Sequence, residues 1–379
     1  MEITKRVRIS TGLKCNLNCA FCYYNEELNT QTYSKDEIKK MLDIAFRYNI
    51  RDIDFSGGEP TLRKDLPELI SYAKEKGFRR ICIITNGTRT SKSDYLKSLM
   101  EAGLNEILIS LHGHKAEVHD ELVEAKGSFN KMLSTLENCV QSGIRLRTNT
   151  VVNKKNYENL EDVARIIKDF KPIASNFICF NDWINAAPLT KQIAIRYSEA
   201  AEYIKKAIDV LSPVVSKVSA RYIPFCFMEG YERHVCHISQ NLFDNDEWID
   251  SVKRLVTDRD AEKNMSYYEY LNRLWNESRE DLKKHLTEKE YDCVLSRGEG
   301  PFSNLEPGLA VQAHIIENYA KRKEYHKSAR CLQCSFNEIC DGIHDTYYKN
   351  FSDGELEPVI NKTACDPMEY RIEYSKQWK

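Results

Sequence analysis

The sequence has no long apolar run and almost no net charge. No stretch is long and apolar enough to cross a bilayer, and residues 1–5 carry no signal-peptide pattern. A formal net charge of −2 on 379 residues gives no strong field that would attract nucleic acid or an anionic membrane. These absences predict a soluble cytoplasmic protein with neither a nucleic-acid nor a membrane partner.

Cysteine, in contrast, is plentiful. The chain carries 13 cysteines and no export signal, so we expect a reducing compartment in which metal ligation is favoured over disulfides. The apolar content of 42% and the charged content of 30% are ordinary for a globular protein. The length suits one large domain or two medium ones, each with a substantial core.

Three cysteines lie close together after the first predicted strand, at 7–10. Cys15, Cys19 and Cys22 have the spacing C-x3-C-x2-C. Three thiols suit a disulfide framework poorly, and a closed structural zinc site needs a fourth ligand. A [4Fe-4S] cluster explains the number better, because three thiolates would bind three irons and leave the fourth iron open for a small molecule.

This loop resembles the signature of the radical S-adenosylmethionine (SAM) superfamily, which has an aromatic residue just before the last cysteine, here Phe21. The resemblance implies that SAM chelates the open iron and that an electron from the cluster cleaves SAM to a 5′-deoxyadenosyl radical. It also implies that Cys15, Cys19 and Cys22 are the cluster ligands and that Phe21 packs near the adenine.

The pattern from residue 6 to about 180 alternates between strand and helix. Ser34 and Glu37 form a capping box, and Gly77, Gly103 and Gly143 are expected to end helices. Such alternation predicts an α/β fold with a parallel sheet. Six units resemble the family's partial (β/α)6 TIM-like barrel. We expect this barrel over 1–215, a helical insertion and connection over 216–310, and a smaller cysteine-rich domain over 311–379.

Polar motifs follow the predicted strands, at the barrel end where chemistry is usually found. Gly57-Gly58-Glu59 follows the second strand. Two glycines let the backbone approach a ligand closely, and Glu59 can accept hydrogen bonds from an ammonium group. The motif resembles the family's GGE motif, which binds the amino group of SAM. Three weaker predictions, Asn86, Ser110 and Asn149, would face the ribose and carboxylate, although a polar residue at a strand end often only caps a turn.

Three histidines, His112, His114 and His119, follow the fourth strand. They could suggest a metal site, but Ser-Leu-His-Gly also resembles the family's loop at this place. We favour a structural or substrate-facing role over a second metal.

A second cysteine group, Cys331, Cys334 and Cys340, has the spacing C-x2-C-x5-C. It resembles the SPASM and twitch extensions of the family, which implies an auxiliary [4Fe-4S] cluster. The SPASM run would continue with another cysteine where this chain has His344, which favours one auxiliary cluster over two. The fourth ligand is open: we prefer Cys226 to Cys365, and Cys236 is a third candidate. Cys82, Cys139 and Cys179 are most simply core residues.

These patterns favour a radical SAM oxidoreductase or epimerase. The predicted barrel begins within the first ten residues, without a recognition domain ahead of it, which favours a small-molecule substrate over a short peptide. A reductase, flavodoxin or ferredoxin would supply the electron. The competing hypothesis is a non-catalytic zinc or iron–sulfur protein with a structural or redox-sensing role. Residues 244–292 carry no known motif and would be a substrate-binding wall or helical packing.

Overall fold

The computed structural model describes residues 6–22, 24, 29–30, 32–47, 50–181, 192–241, 244, 246, 325–337, 339–360, 364 and 370–371. Eight parallel strands form one sheet in which the order in space equals the order in the chain. The strands are β1 (Arg6–Ser10), β2 (Asp52–Ser56), β3 (Arg80–Thr85), β4 (Glu106–Ser110), β5 (Arg145–Val152), β6 (Ala174–Cys179), β7 (Lys217–Arg221) and β8 (Val235–Cys236).

Helices connect the successive strands from β1 to β7, as parallel pairing requires, and one short helix follows β8. They are α1 (Lys35–Arg47), α2 (Leu66–Lys76), α3 (Ser93–Ala102), α4 (Ala116–Val123), α5 (Ser128–Ser142), α6 (Leu160–Phe170), α7 (Tyr197–Leu211) and the short α8 (Ile238–Asn241). The predicted capping box precedes α1: the Glu37 carboxylate accepts from the Ser34 N–H at 2.7 Å, and the Ser34 hydroxyl accepts from the Glu37 N–H at 3.2 Å. The α/β class and the partial barrel are therefore confirmed.

The number of strands differs from the six that the sequence predicted. β7 and β8 extend the sheet beyond residue 215; the sequence predicts one further strand there, at 220–225, whereas β7 spans Lys217–Arg221. The apolar signal of β7 is weak because Lys217, Ser219 and Arg221 alternate along it. These side chains are buried all the same.

A network of buried charges fills the amino-terminal end of the barrel interior. Arg6 donates to Asp54 at 2.6 Å and to Glu106 at 2.8 Å, and Arg147 donates to Asp54 at 2.9 Å and pairs with Glu106 at 2.7 Å. All four side chains are fully buried. Two guanidinium groups thus neutralise two carboxylates. We therefore expect the catalytic groups at the carboxyl ends of the strands.

The carboxyl-terminal part contains a two-stranded antiparallel sheet, β9 (Tyr325–His326) with β10 (Ile343–His344), followed by α9 (Asp345–Phe351). Its Phe336 ring lies 5.0 Å from Phe225 in the turn after β7. This part therefore packs on the late strands of the barrel. The predicted helices of 244–292 lie outside the described residues, apart from Asp244 and Asp246. No helix in the described ranges is long and apolar enough to span a membrane.

Candidate active site at the carboxyl ends of the strands

The loop after β1 carries the first three cysteines and is fixed on two sides. The backbone N–H groups of Gly58 and Glu59 donate to the carbonyls of Gly12 and Lys14, at 2.9 Å and 2.8 Å. Farther along the loop, the Ala20 N–H donates to the Leu122 carbonyl at the end of α4, at 2.9 Å. The cysteines are thus held at the carboxyl end of the barrel, between the β2 loop and α4.

The three thiols converge on one partly buried place. Burial raises the pKa of Cys15 to about 11, and it also raises the pKa values of Cys19 and Cys22. The neighbouring sulfurs of Cys22 and Cys15 raise the pKa of Cys19 further. A cationic metal group would relieve this repulsion between thiolates, because metal ligation requires the deprotonated form. The donor set therefore fits an iron–sulfur cluster.

The backbone of the cysteine loop lies so close to the β2 loop that only glycine fits at Gly57 and Gly58. A Cβ atom added at Gly57 would lie 2.2 Å from the Gly12 carbonyl oxygen, and one at Gly58 would lie 2.3 Å from that of Lys14. Gly57 also has a φ of +131°. The close approach therefore joins two backbone segments, whereas the sequence suggested an approach to a ligand. Contact with SAM stays a prediction for both residues.

Glu59 is buried at the centre of a hydrogen-bond network. Its Oε1 accepts from the Thr61 N–H at 3.0 Å, from the Thr61 hydroxyl at 2.5 Å and from the Thr85 hydroxyl at 2.7 Å. Its Oε2 accepts from the Asn86 N–H at 2.8 Å. Burial still raises the pKa of Glu59, against the effect of these bonds. A carboxylate has about four lone-pair sites, so Oε2 retains capacity for one more donor.

The three weaker candidates also lie at this end of the barrel. The Asn86 amide donates to the side chain of Asn16 in the cysteine loop, at 3.1 Å. Ser110 and Asn149 are register partners on β4 and β5, and the Asn149 side chain accepts from Asn176 at 2.9 Å. Asn86 thus contacts the cysteine loop, whereas Ser110 and Asn149 lie side by side on neighbouring strands.

Phe21 packs on the first of the three histidines. Its ring centroid lies 4.3 Å from that of His112. Nδ1 of His112 accepts from the Val151 N–H at 3.1 Å, and Nδ1 of His119 accepts from the His112 N–H at 3.2 Å. Burial lowers the pKa of His119 to about 4 and that of His112 well below its usual value. Both Nδ1 atoms therefore accept backbone hydrogen bonds, and a structural or substrate-facing role for these histidines stays a prediction.

The second cysteine group lies beside the turn that follows β7. Burial raises the pKa of Cys226, and the nearby thiols of Cys340, Cys334 and Cys331 raise it further. Cys331 and Cys334 lie on one turn, closed by a bond of 3.0 Å from the Cys334 N–H to the Cys331 carbonyl. Four thiols thus lie near one another.

The other candidates for the second group are placed differently. Cys365 lies outside the described residues. Cys236 is buried in β8, with its thiol 2.8 Å from the Asn241 side-chain oxygen. His344 caps α9, because its Nδ1 accepts from the Thr346 N–H at 3.2 Å. Of the core cysteines, Cys139 and Cys179 are buried as predicted, whereas the buried Cys82 also accepts from Arg147 at 3.4 Å.

In neither cysteine group do three sulfurs lie as close together as binding to a single metal ion requires. Within the described part of the chain, the only three ligand atoms of His, Cys, Asp or Glu that lie within 4.8 Å of one another belong to Asp54, Cys82 and Glu106. Arg6 and Arg147 already neutralise that group. One zinc ion at about 2.3 Å from each sulfur would hold its ligands within roughly 4.6 Å of one another. The wider cysteine groups suit a larger cluster.

Two polar side chains that the sequence did not single out also line the interior. Arg8 and Ser10 follow Arg6 at alternate positions of β1, and successive alternate residues face the same side of a strand. Arg8 Nε and Ser10 Oγ are buried, and no described residue makes a hydrogen bond with either atom. The alternation of Arg6, Arg8 and Ser10 with Val7 and Ile9 is the sequence feature that could have identified this polar face.

Residues 9–168 match the family described as "Radical SAM superfamily". The Fe-coproporphyrin III synthase of Methanosarcina barkeri is 33% identical over 218 residues, which are 56% of this chain and 51% of that protein. A GTP 3′,8-cyclase of Aquifex aeolicus is 31% identical, over 47% of this chain and 59% of its own length. The chain thus spans about half the length of the curated relatives it matches.

Among solved structures, Streptococcus suis SuiB bound to the precursor peptide SuiA is 17% identical, with a TM-score of 0.47. The match covers 55% of this chain and 47% of SuiB.

Proposed function

We propose that this protein, whose residues 9–168 match the radical SAM superfamily, cleaves SAM reductively and removes a hydrogen atom from a small biosynthetic intermediate. One electron splits SAM into methionine and the 5′-deoxyadenosyl radical. That radical takes a hydrogen atom from a substrate carbon and becomes 5′-deoxyadenosine. The substrate radical then loses an electron and a proton, which is dehydrogenation, or takes a hydrogen atom from a cysteine thiol on the opposite face, which is epimerisation and leaves a thiyl radical that the reductant must reduce again.

One observation carries this proposal. Cys15, Cys19 and Cys22 converge at the carboxyl end of the barrel, on a loop bonded directly to the Gly58 and Glu59 backbone. A [4Fe-4S] cluster bound by the three thiolates would supply the electron. Glu59 would accept a hydrogen bond from the SAM ammonium group through Oε2. Phe21, which packs on His112, would lie against the adenine.

The second cysteine group supports an auxiliary [4Fe-4S] cluster held by Cys331, Cys334, Cys340 and Cys226. Its thiols lie next to the turn that leaves β7, at the carboxyl end of the sheet. A cluster there could accept the electron that dehydrogenation releases, or it could anchor the substrate. The spacing of both cysteine groups favours this reading over a structural zinc protein.

The test uses anaerobic, reconstituted protein with SAM and a flavodoxin or dithionite as the reductant. A fully deuterated small-molecule extract is supplied, and 5′-deoxyadenosine is analysed by mass spectrometry. We expect deuterium in the product, because the radical must take its hydrogen from the substrate. If deuterium appears in 5′-deoxyadenosine only when a deuterated peptide fraction is supplied, the substrate is a peptide and not a small molecule. Absence of 5′-deoxyadenosine would refute the proposed function.

A further inference from the structure

The interior face of β1 carries two arginines, and only one of them is ion-paired with a described residue. Arg6 is fully buried and bonded to Asp54 and Glu106. Arg8 lies two residues nearer the carboxyl end on the same face, and in the described ranges no carboxylate lies within ion-pair distance of it. Its guanidinium carbon lies 5.9 Å from the centre of the Tyr24 ring, just past the cysteine loop. Arg8 therefore brings an uncompensated positive charge to the mouth of the barrel.

A second donor lies next to this charge. Ser10 is the next residue on the interior face of β1, and it is 2% exposed. Among the described residues its Oγ has no hydrogen-bond partner, and neither has the buried Nε of Arg8. A buried polar atom that makes no hydrogen bond is destabilising, so two adjacent cases need an explanation.

The chemistry of the missing partner follows from the donors. A guanidinium group has only donors, in a planar arrangement that matches two oxygens of a carboxylate or a phosphate. A serine hydroxyl can add a third hydrogen bond. We propose that Arg8 and Ser10 form an oxyanion-binding site that takes a carboxylate or phosphate group of the substrate.

This inference rests on the proposed function, because an oxyanion bound here would orient the substrate inside the barrel, beside the cysteine loop. The charge balance supports it. The deeper charges are already paired, since Arg6 and Arg147 face Asp54 and Glu106. Arg8 is therefore left to attract an anion that enters from the open end.

Binding to the anaerobic holoprotein tests the site directly. Isothermal titration at low salt is carried out with inorganic pyrophosphate and, separately, with malonate. We expect wild type to bind at least one of the two, and the preferred probe identifies phosphate or carboxylate as the natural group. Arg8→Gln should weaken binding about tenfold or more, since it removes the positive charge and the paired donors of the guanidinium group. Ser10→Ala should weaken it by a smaller factor.

The matched control is Arg165→Gln, which removes an arginine on the outer face of α6 whose side chain is 64% exposed. It should bind the probe as wild type does. Equal binding by Arg8→Gln, or no binding by wild type, would overturn the site. Competition between SAM and the probe, together with weaker SAM binding by Arg8→Gln, would assign the site to the SAM carboxylate and also overturn it. None of these readouts depends on SAM cleavage, so a failure of the proposed function is seen separately.

Discussion

At the scale of single residues, Glu59 combines two tasks. Its carboxylate ties Thr61, Thr85 and Asn86 together, and it is the expected partner of the SAM ammonium. The sequence predicted the second task from the motif. It could not predict the first, because Thr85 and Asn86 reach Glu59 only through the pairing of β2 with β3.

We predict that Glu59→Gln binds SAM about tenfold more weakly or worse and retains its iron. The amide keeps an acceptor for the two threonines but loses the negative charge, and a charged hydrogen bond contributes roughly 1.5–3 kcal/mol. SAM affinity and iron content of the anaerobic protein are measured together. The control is Glu161→Gln on the surface of α6. Unchanged SAM affinity in Glu59→Gln would reduce the motif to a turn.

Gly58→Ala should cost the protein its first cluster. The added methyl group would meet the Lys14 carbonyl oxygen at 2.3 Å, so the cysteine loop must move. Gly354→Ala is the matched control, because its nearest neighbour would be 3.7 Å away. Iron analysis after reconstitution should show less iron in Gly58→Ala alone. Full iron content in both variants would mean that the loop tolerates displacement.

At the scale of elements, the loops after β1 and β7 each present cysteines at the same end of the sheet. Periodicity was enough to predict β1 to β6, because buried apolar runs such as 81–84 are distinctive. It gave only an approximate position for β7, whose interior residues are polar, and it did not predict β8, which has two residues. The proximity of Cys226 to Cys340 depends on these two strands and on the packing of Phe225 against Phe336.

We predict that Cys226→Ser loses the auxiliary cluster, which is about half of the iron if both clusters have four iron atoms. Cys236→Ser should keep it, since that thiol lies in β8 and contacts Asn241. Iron analysis and electron paramagnetic resonance of the reduced proteins make the comparison. If Cys226→Ser retains the auxiliary signal and Cys365→Ser loses it, Cys365 is the fourth ligand of the auxiliary cluster.

At the scale of the whole molecule, the buried charge network sets the response to acid. Arg147 and Arg6 lower the pKa of Glu106 from 4.5 to about 2 although burial acts in the opposite direction. A carboxyl whose pKa is lower in the folded state stabilises the fold fully above its unfolded pKa. That contribution is lost as the pH falls from about 4.5 to 2, and the shift corresponds to roughly 3 kcal/mol.

Glu106→Gln should therefore destabilise the full chain by about 3–5 kcal/mol at neutral pH, because it leaves buried arginine charge unpaired. The difference from wild type in the free energy of unfolding should shrink as the pH falls below about 4.5. Denaturant unfolding at several pH values measures both effects, with the surface variant Glu161→Gln as the control. A difference that stays constant down to pH 3 would contradict this role of the network.

The central claim is that Cys15, Cys19 and Cys22 hold the cluster that cleaves SAM. The most direct measurement is the yield of 5′-deoxyadenosine from anaerobic, reduced protein in which all three cysteines are replaced by alanine, compared with wild type. We predict that wild type forms the product, whereas the triple variant forms none and retains the auxiliary cluster's iron. Formation of 5′-deoxyadenosine by the triple variant would contradict the account.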